Sequence, residues 1–447
     1  MGAQQYSGQY KSTAMLSVDQ AQEQTLALSR LLEVERVDMV DALGRVLAGD
    51  VSSDSDIAPF ANSAMDGYAL RAADLEGASD ERPRSLQAVG LIGAGRVYGR
   101  SLQAGEALRI MTGAPLPEGA DTVIKLEECE AVVGGTSADS TYPDAADSAH
   151  LGSADCPHTV RFFRQPSVGE NVRPQGEEAR AGEVLLPHGT PLSAASIGLL
   201  ASTGTVSVPV YRRPRVAILS TGDELVPPST RPGPGQIRNS NCYSLAAAVH
   251  QAGGLFTIVG AVPDARAALS AAVQDALAEH DLVLISGGAG EGDFDHVSAV
   301  VRELGKLHFN KVCMRPGKAQ TLGSIGQVIV FGLPGNPAAA LVGLEVLVRP
   351  ALLKMQGFPV LYRPFVQARI TQEIKKREER RVYLRAQFTH DVVSGEFVVT
   401  PERNQSSALF SALHRSNCLL VLPEGQALFL KGESLPCLLL TVPPGAW

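Results

Sequence analysis

The chain has 447 residues, 45% of them hydrophobic, and a formal net charge of −8. Its length exceeds what one hydrophobic core serves, so about three to four domains are expected. The acidic balance and an aromatic content of only 5% exclude a nucleic-acid-stacking surface. Six scattered cysteines without a C-x-x-C pair point to neither a zinc site nor a disulfide framework. No apolar run suits a membrane span and the N-terminus has no signal-peptide core, so a cytoplasmic protein that binds no membrane is expected.

Residues 1 to about 15 are small and polar and are expected to be disordered. Ser17 and Gln20 have capping-box spacing, which predicts a helix over Val18–Leu32. A second short helix is expected at Met39–Leu43, before Gly44. The loop APFANSAMDGYAL, Ala58–Leu70, is rich in turn residues and leads into a strand at Tyr68. Asp66 there reads either as an Asx-turn acid or as a functional carboxylate. Alternating short segments from Arg82 to Phe163 predict a β-rich domain. It contains RIMTGAP, whose Thr112 is either a turn hydroxyl or a phosphate ligand. The stretch 131–158 has little to bury and reads as a long mobile hairpin insertion, with His150 and His158 solvated. Glu177 and Glu178 follow Gly176 in another turn-rich crossing and read first as surface acids. A helix is expected over Leu192–Leu200 and a strand at Val206–Val210.

From Arg213 to about Leu353 apolar strand candidates (Val216–Leu219, Leu255–Val259, Leu282–Ile285, Val328–Phe331) occur with helical patterns at Ser240–Ala252 and Asp264–His280. The alternation predicts a parallel sheet covered on both faces. Three loops must then leave its carboxyl edge together: STGDEL from Ser220, SGGAGEGDFD from Ser286, and GLPGNP from Gly332. The middle loop joins backbone N–H groups, which suit phosphate, to Asp293 and Asp295, which suit a hard cation such as Mg²⁺. Asn336 is expected to cap the last helix, with Pro337 at its first position. Lys306–Gln320 reads as a loop carrying Lys311, Arg315 and Lys318 around a Pro-Gly turn; these cations are either solvated or hold an oxyanion. After Gly357 short alternating segments predict a C-terminal β-barrel, with the charged run KKREERR beside Tyr383 and a helix capped from Gln405-Ser406-Ser407.

Taken together, SAMDGYA, RIMTGAP, STGDEL, SGG…GDFD, RPGK, GLPGNP and QSS…SN…LVLP, in that order, resemble the molybdopterin molybdenumtransferases, the MoeA and gephyrin E-domain family. The resemblance runs from about Ser17 to the C-terminus. It implies a multidomain α/β fold: an N-terminal linker domain (1–58 plus 166–212), an inserted β-rich domain (59–165), a central parallel α/β sandwich (213–356) and a C-terminal β-barrel (357–447). It also implies a homodimer whose active site lies between subunits. The implied reaction consumes molybdate and adenylylated molybdopterin with Mg²⁺ and releases AMP. Residue by residue, the family's acids fall on Asp66, Glu177, Asp223 and Asp295, with Asp223 and Asp295 on the metal, and its hydroxyl on Thr112. Substrate contacts fall on Ser220, Thr221, Gly222, Ser286, Gly287, Gly288, Pro334, Gly335 and Pro337, and the molybdate side on Arg315, Lys318, Arg380 and Ser407. The sequence departs from the family at Ala289-Gly290-Glu291, at Arg315 in place of the usual Lys, and in RRVYLR.

Two other readings compete. A molybdopterin adenylyltransferase would use the central fold alone and leave Asp66, Thr112 and Glu177 without purpose; such an enzyme is instead an expected partner. A scaffold paralogue without turnover would tolerate the altered 289–291 turn but has no need of Asp223, Asp295 and Thr112.

Overall fold

The structure is a computed structural model that describes residues 15–133, 158–288, 296–392 and 395–441. The expected disordered N-terminus, nearly all of the 131–158 insertion, and Asp293 and Asp295 lie outside the described residues. The chain forms two compact units: 1–49 with 188–193 and 207–447, and 50–187 with 194–206. The architecture is multidomain α/β.

The first unit is built on a six-stranded sheet. Its strands run in the order Leu255–Val262, Arg215–Thr221, Leu282–Ser286, Val328–Leu333, Ala319–Ile325 and Lys306–Lys311. The first four are mutually parallel. Alternate side chains of the two inner strands enter separate cores. Val216, Ile218, Leu282 and Leu284 meet the helix Asn241–Gln251 and the helical segment from Pro337. Ala217, Leu219, Val283 and Ile285 meet the helices Arg266–Leu277 and His296–Leu304. The unbroken apolar runs Val216–Leu219 and Leu282–Ile285 are therefore a consequence of burial on both faces.

A closed five-stranded barrel follows, with Arg381–Asp391 pairing Glu396–Pro401 on one side and Cys418–Leu422 on the other, and Phe365–Ile370 and Ser434–Leu439 completing the ring. Its Tyr383, Leu419, Val421 and Leu438 share a core with the first face of the central sheet. The capping box at Ser17 and Gln20 is present, and Arg381 forks onto Asp19 of that helix at 2.8 and 2.9 Å.

The second unit holds another six-stranded sheet, ordered Thr122–Lys125, Gly67–Leu70, Glu106–Ile110, Arg84–Ile92, His158–Phe162 and Cys129–Val133, around Tyr68, Leu70, Ile124 and Phe162.

Several local expectations need correction. The first helix ends at Leu28, where Ser29 turns to an extended conformation. Residues 39–43 form a hydrogen-bonded turn closed by Ala42 N–H to Asp38 carbonyl; with so few residues before Gly44, no helix nucleus is followed by propagation. Lys306–Gln320 is mostly strand: Lys306–Lys311 and Ala319–Ile325 pair antiparallel across the Pro-Gly turn. Neither Asn336 nor the Gln405–Ser407 segment supplies a side-chain helix cap. Gln405 instead bonds the backbone of Arg385 in both directions, at 3.0 and 2.8 Å.

Candidate active site

The three loops leave adjacent parallel strands on one edge of the central sheet, as the alternation requires. Close approach explains the glycines of the middle loop. A Cβ at Gly287 would sit 2.6 Å from the Thr221 carbonyl oxygen, and one at Gly288 2.8 Å from the Thr221 hydroxyl; both residues have positive φ. The neighbouring strand end therefore admits only glycine there. Ser220, Thr221, Ser286, Gly287, Gly335 and Pro337 line one cavity of about 340 Å³. Gly222, Asp223 and Gly288 adjoin these lining residues in sequence.

Asn241 ties these loops together and is missing from the sequence-based candidates. Its amide donates to Ser286 Oγ at 2.7 Å and to the Gly335 carbonyl at 2.8 Å, while its buried carbonyl oxygen has no partner. The Thr221 hydroxyl is likewise buried and unpartnered. Two orphaned polar atoms at one cavity are the mark of a ligand site, because each costs about 1–3 kcal/mol left unpaired. An asparagine in the first turn of a helix gives no such signal in sequence.

A second cavity, about 800 Å³, shares Gly335 and Asn336 with the first. It gathers Arg315, Lys318, Pro334, Gly335, Arg380 and Ser407, all candidates from sequence. Backbone pairing explains the gathering. Met314–Arg315 runs parallel to Arg381–Val382, which brings the RPGK turn beside Arg380. The Ala338 N–H donates to the Ser407 carbonyl at 2.9 Å, which joins the barrel loop to the helix after GLPGNP. The described lining carries seven cations (Arg315, Lys318, Lys375, Lys376, Arg377, Arg380, Arg385) and one carboxylate, Glu378.

Arg385, within RRVYLR, was also absent from the sequence-based candidates. It is 1% exposed; its Nη2 donates to the Ser406 carbonyl at 3.2 Å and its Nε has no partner. Burial, with added repulsion from Arg315, pushes its guanidinium down to about 10. A buried guanidinium with an unpartnered Nε is suited to meeting an anion.

Asp223 stands exposed beside the first cavity, where its Oδ1 accepts the Asp264 N–H at 3.1 Å. The Asp264 carboxylate is 3.8 Å from His296 Nε2, and His296 directly follows Asp295. Asp295 and the altered 289–291 turn are outside the described residues. Among the described residues no group of three or more His, Cys, Asp or Glu clusters to hold a metal alone.

In the second unit the structure brings Asp66 and Thr112 together. Thr112 donates its N–H and its hydroxyl to Asp66 Oδ1 at 2.7 and 2.8 Å. The register sets this contact, because Gly67 pairs with Ile110 across antiparallel strands. The Thr112 N–H, then its hydroxyl, hold the Asp66 carboxyl below the usual carboxylate range. Glu177 is exposed in a loop of the same unit.

Comparison with known proteins accounts for most of the chain. Residues 16–204 match the MoeA N-terminal region (domain I and II), 217–354 a probable molybdopterin binding domain, and 367–440 the MoeA C-terminal region (domain IV). The chain is 38% identical to a molybdopterin molybdenumtransferase of Nostoc sp., covering 92% of this chain and 89% of that protein. It is 33% identical to one of Bacillus subtilis, covering 95% and 94%. It is also similar to the crystal structure of a molybdopterin biosynthesis moeA protein from Pyrococcus horikosii, with a TM-score of 0.78, 30% identity, and coverage of 96% of this chain and 100% of that one.

Proposed function

Because this chain belongs to the MoeA family, the molybdopterin molybdenumtransferases, we propose that its two adjoining cavities hold adenylylated molybdopterin and molybdate, and that it inserts molybdenum with release of AMP. It is an enzyme of molybdenum cofactor biosynthesis. The observation that carries the finer reading is the seven-to-one excess of cations around the larger cavity, in a protein of net charge −8. Such local excess has an anionic substrate as its physical purpose.

Arg315, Lys318, Arg380 and Ser407 would hold molybdate by charge and hydrogen bonds. The backbone around Ser220–Gly222 and Ser286–Gly288, with Pro334, Gly335 and Pro337 shaping the wall, would take the phosphates and pterin. Asp223 and Asp295 would hold Mg²⁺. The contact chain from Asp223 through Asp264 to His296 supports this pairing, since it leads to the residue next to Asp295. When bound, Mg²⁺ supplies charge stabilisation to the phosphates and the leaving AMP. Asp66, Thr112 and Glu177 are assigned to the same reaction. Thr112 keeps Asp66 ionised and fixed in orientation, ready to accept a hydrogen bond from substrate.

A homodimer with active sites shared between subunits belongs to this reading. The edge strand Leu255–Val262 supports it, because Leu255, Phe256 and Val259 are each nearly half exposed on an unpaired sheet edge. No helix among the described residues is long and apolar enough to cross a membrane. The deciding experiment supplies adenylylated molybdopterin to the purified protein and measures AMP. Release that needs both Mg²⁺ and molybdate, and that is lost in Asp223→Ala and in Asp295→Ala, is expected. Wild-type release by both variants would remove the metal-site assignment.

A further inference from the structure

Among the described residues Gly335 and Asn336 alone line both cavities. Gly335 has no side chain, and its carbonyl already accepts the Asn241 amide at 2.8 Å. Asn336 is therefore the single described side chain on the boundary. Its backbone carbonyl accepts the Ala340 N–H at 3.0 Å and so starts the helix. An asparagine in that position ordinarily turns its side-chain oxygen onto the N–H of the second or third helical residue. Here the second of these, the Ala338 N–H, is already taken by the Ser407 carbonyl of the barrel loop at 2.9 Å. The Asn336 side chain is exposed and makes no cap bond. The barrel loop thus does the capping, and leaves the amide over for the boundary.

We propose that Asn336 orients the two reactants, its amide donating one N–H to the oxyanion in the larger cavity and the other to a phosphate oxygen in the smaller. The inference rests on the reading given above and adds an orienting residue to it. Molybdate and phosphate oxygens are acceptors, and a side-chain amide carries two N–H donors on one nitrogen. It can therefore serve both anions from one place. The two anions repel each other as they approach, and a shared donor offsets part of that repulsion. Holding both reactants against one rigid group also fixes their mutual orientation before reaction. A carboxylate in the same place would offer no donor and would add a third negative charge.

The test compares Asn336→Ala with Asn336→Asp in the full-length protein, because the two roles open to this residue rank them in opposite order. Asp caps a helix as well as Asn does and Ala does not, so a capping role favours Asn336→Asp. A donor to anions favours Asn336→Ala. AMP release from adenylylated molybdopterin is expected to fall about a hundredfold in kcat/KM for Asn336→Ala, which loses two charge-assisted bonds, and about tenfold further for Asn336→Asp. Molybdate titrated calorimetrically should bind about tenfold more weakly to Asn336→Ala, and more weakly again to Asn336→Asp. The thermal midpoint of Asn336→Ala should stay within about 2 °C of wild type, since no cap bond is lost. Asn336→Asp at or above the activity of Asn336→Ala, or Asn336→Ala within about threefold of wild type, overturns the inference and leaves the cavity reading intact. Wild type that releases no AMP removes the reaction reading. The molybdate titrations of the same three proteins then decide the inference, which falls if Asn336→Ala binds as tightly as wild type.

Discussion

The large cavity of the first unit and the Asp66–Thr112 corner of the second are built in opposite ways. In the cavity like charges are crowded together, and one guanidinium is buried with an unpartnered Nε. At the corner a single acid receives an N–H and a hydroxyl from one exposed residue, and neither is forced out of water. The cavity spends stability on charge awaiting a ligand, whereas the corner needs no ligand to be satisfied. The difference teaches where to look for binding energy: affinity for an anion should reside in the crowded region, and the corner should contribute orientation.

The largest effect should come from emptying the crowded region. Arg315→Ala with Arg380→Ala removes two guanidinium groups that face the cavity. Molybdate affinity measured by calorimetry should fall about a hundredfold or more, since charge-assisted bonds contribute about 1.5–3 kcal/mol each. A loss under about threefold would erase the contrast between the regions. Arg385→Met should come next and should move affinity and stability in opposite directions. Removing a buried, loosely paired guanidinium relieves desolvation, so the thermal midpoint should hold or rise by about 2–4 °C while molybdate affinity drops about tenfold. A large fall in the midpoint would show that Arg385 is held there for structure.

Gly67→Ala probes how the corner is positioned. A Cβ at residue 67 would lie 1.9 Å from the Ile124 carbonyl oxygen, so the strand must shift. A stability loss of about 2–4 kcal/mol in urea unfolding is expected, with weaker coupling between Asp66 and Thr112. An unaffected unfolding midpoint would mean that backbone packing does not fix the acid's place.

The contrast was unevenly legible in the sequence. Strands such as Leu282–Ser286 were plain because both faces are buried and Leu282–Ile285 are all apolar. Lys306–Lys311 was not, because it is an edge strand with charged and half-exposed residues, whose pattern matches a cation-bearing loop. The three-loop edge followed from strand alternation alone. The role of Arg385 did not, since nothing in its spacing shows that it is buried beside the RPGK turn, which the pairing of Met314–Arg315 with Arg381–Val382 brings to its strand. Asn336 illustrates a local rule met only in part. It stands at the cap position with Pro337 behind it, yet its side chain makes no cap bond. Asp66 with Thr112 lay beyond spacing arguments, because 46 residues separate them and only the antiparallel register brings them together.

The smallest effect tests the satisfied region by titration. Thr112→Val removes the hydroxyl bond to Asp66 and keeps the N–H bond. The Asp66 carboxyl, now held low by both donors, should titrate at a higher pH in the variant, as read by carbon-detected NMR of the carboxylate. A carboxyl whose folded pKa lies below its unfolded value stabilises the fold above the unfolded pKa, and that contribution is lost as pH falls through the folded pKa. Wild type should therefore exceed the variant by no more than about 1 kcal/mol at neutral pH, because both partners are exposed and solvent screens the bond. The difference should vanish once the pH has fallen below the folded pKa, where the acid is protonated in both states. A gap that persisted unchanged into acid would mean that the valine acts through packing, and the corner would then owe its order to shape and not to the ionised carboxylate.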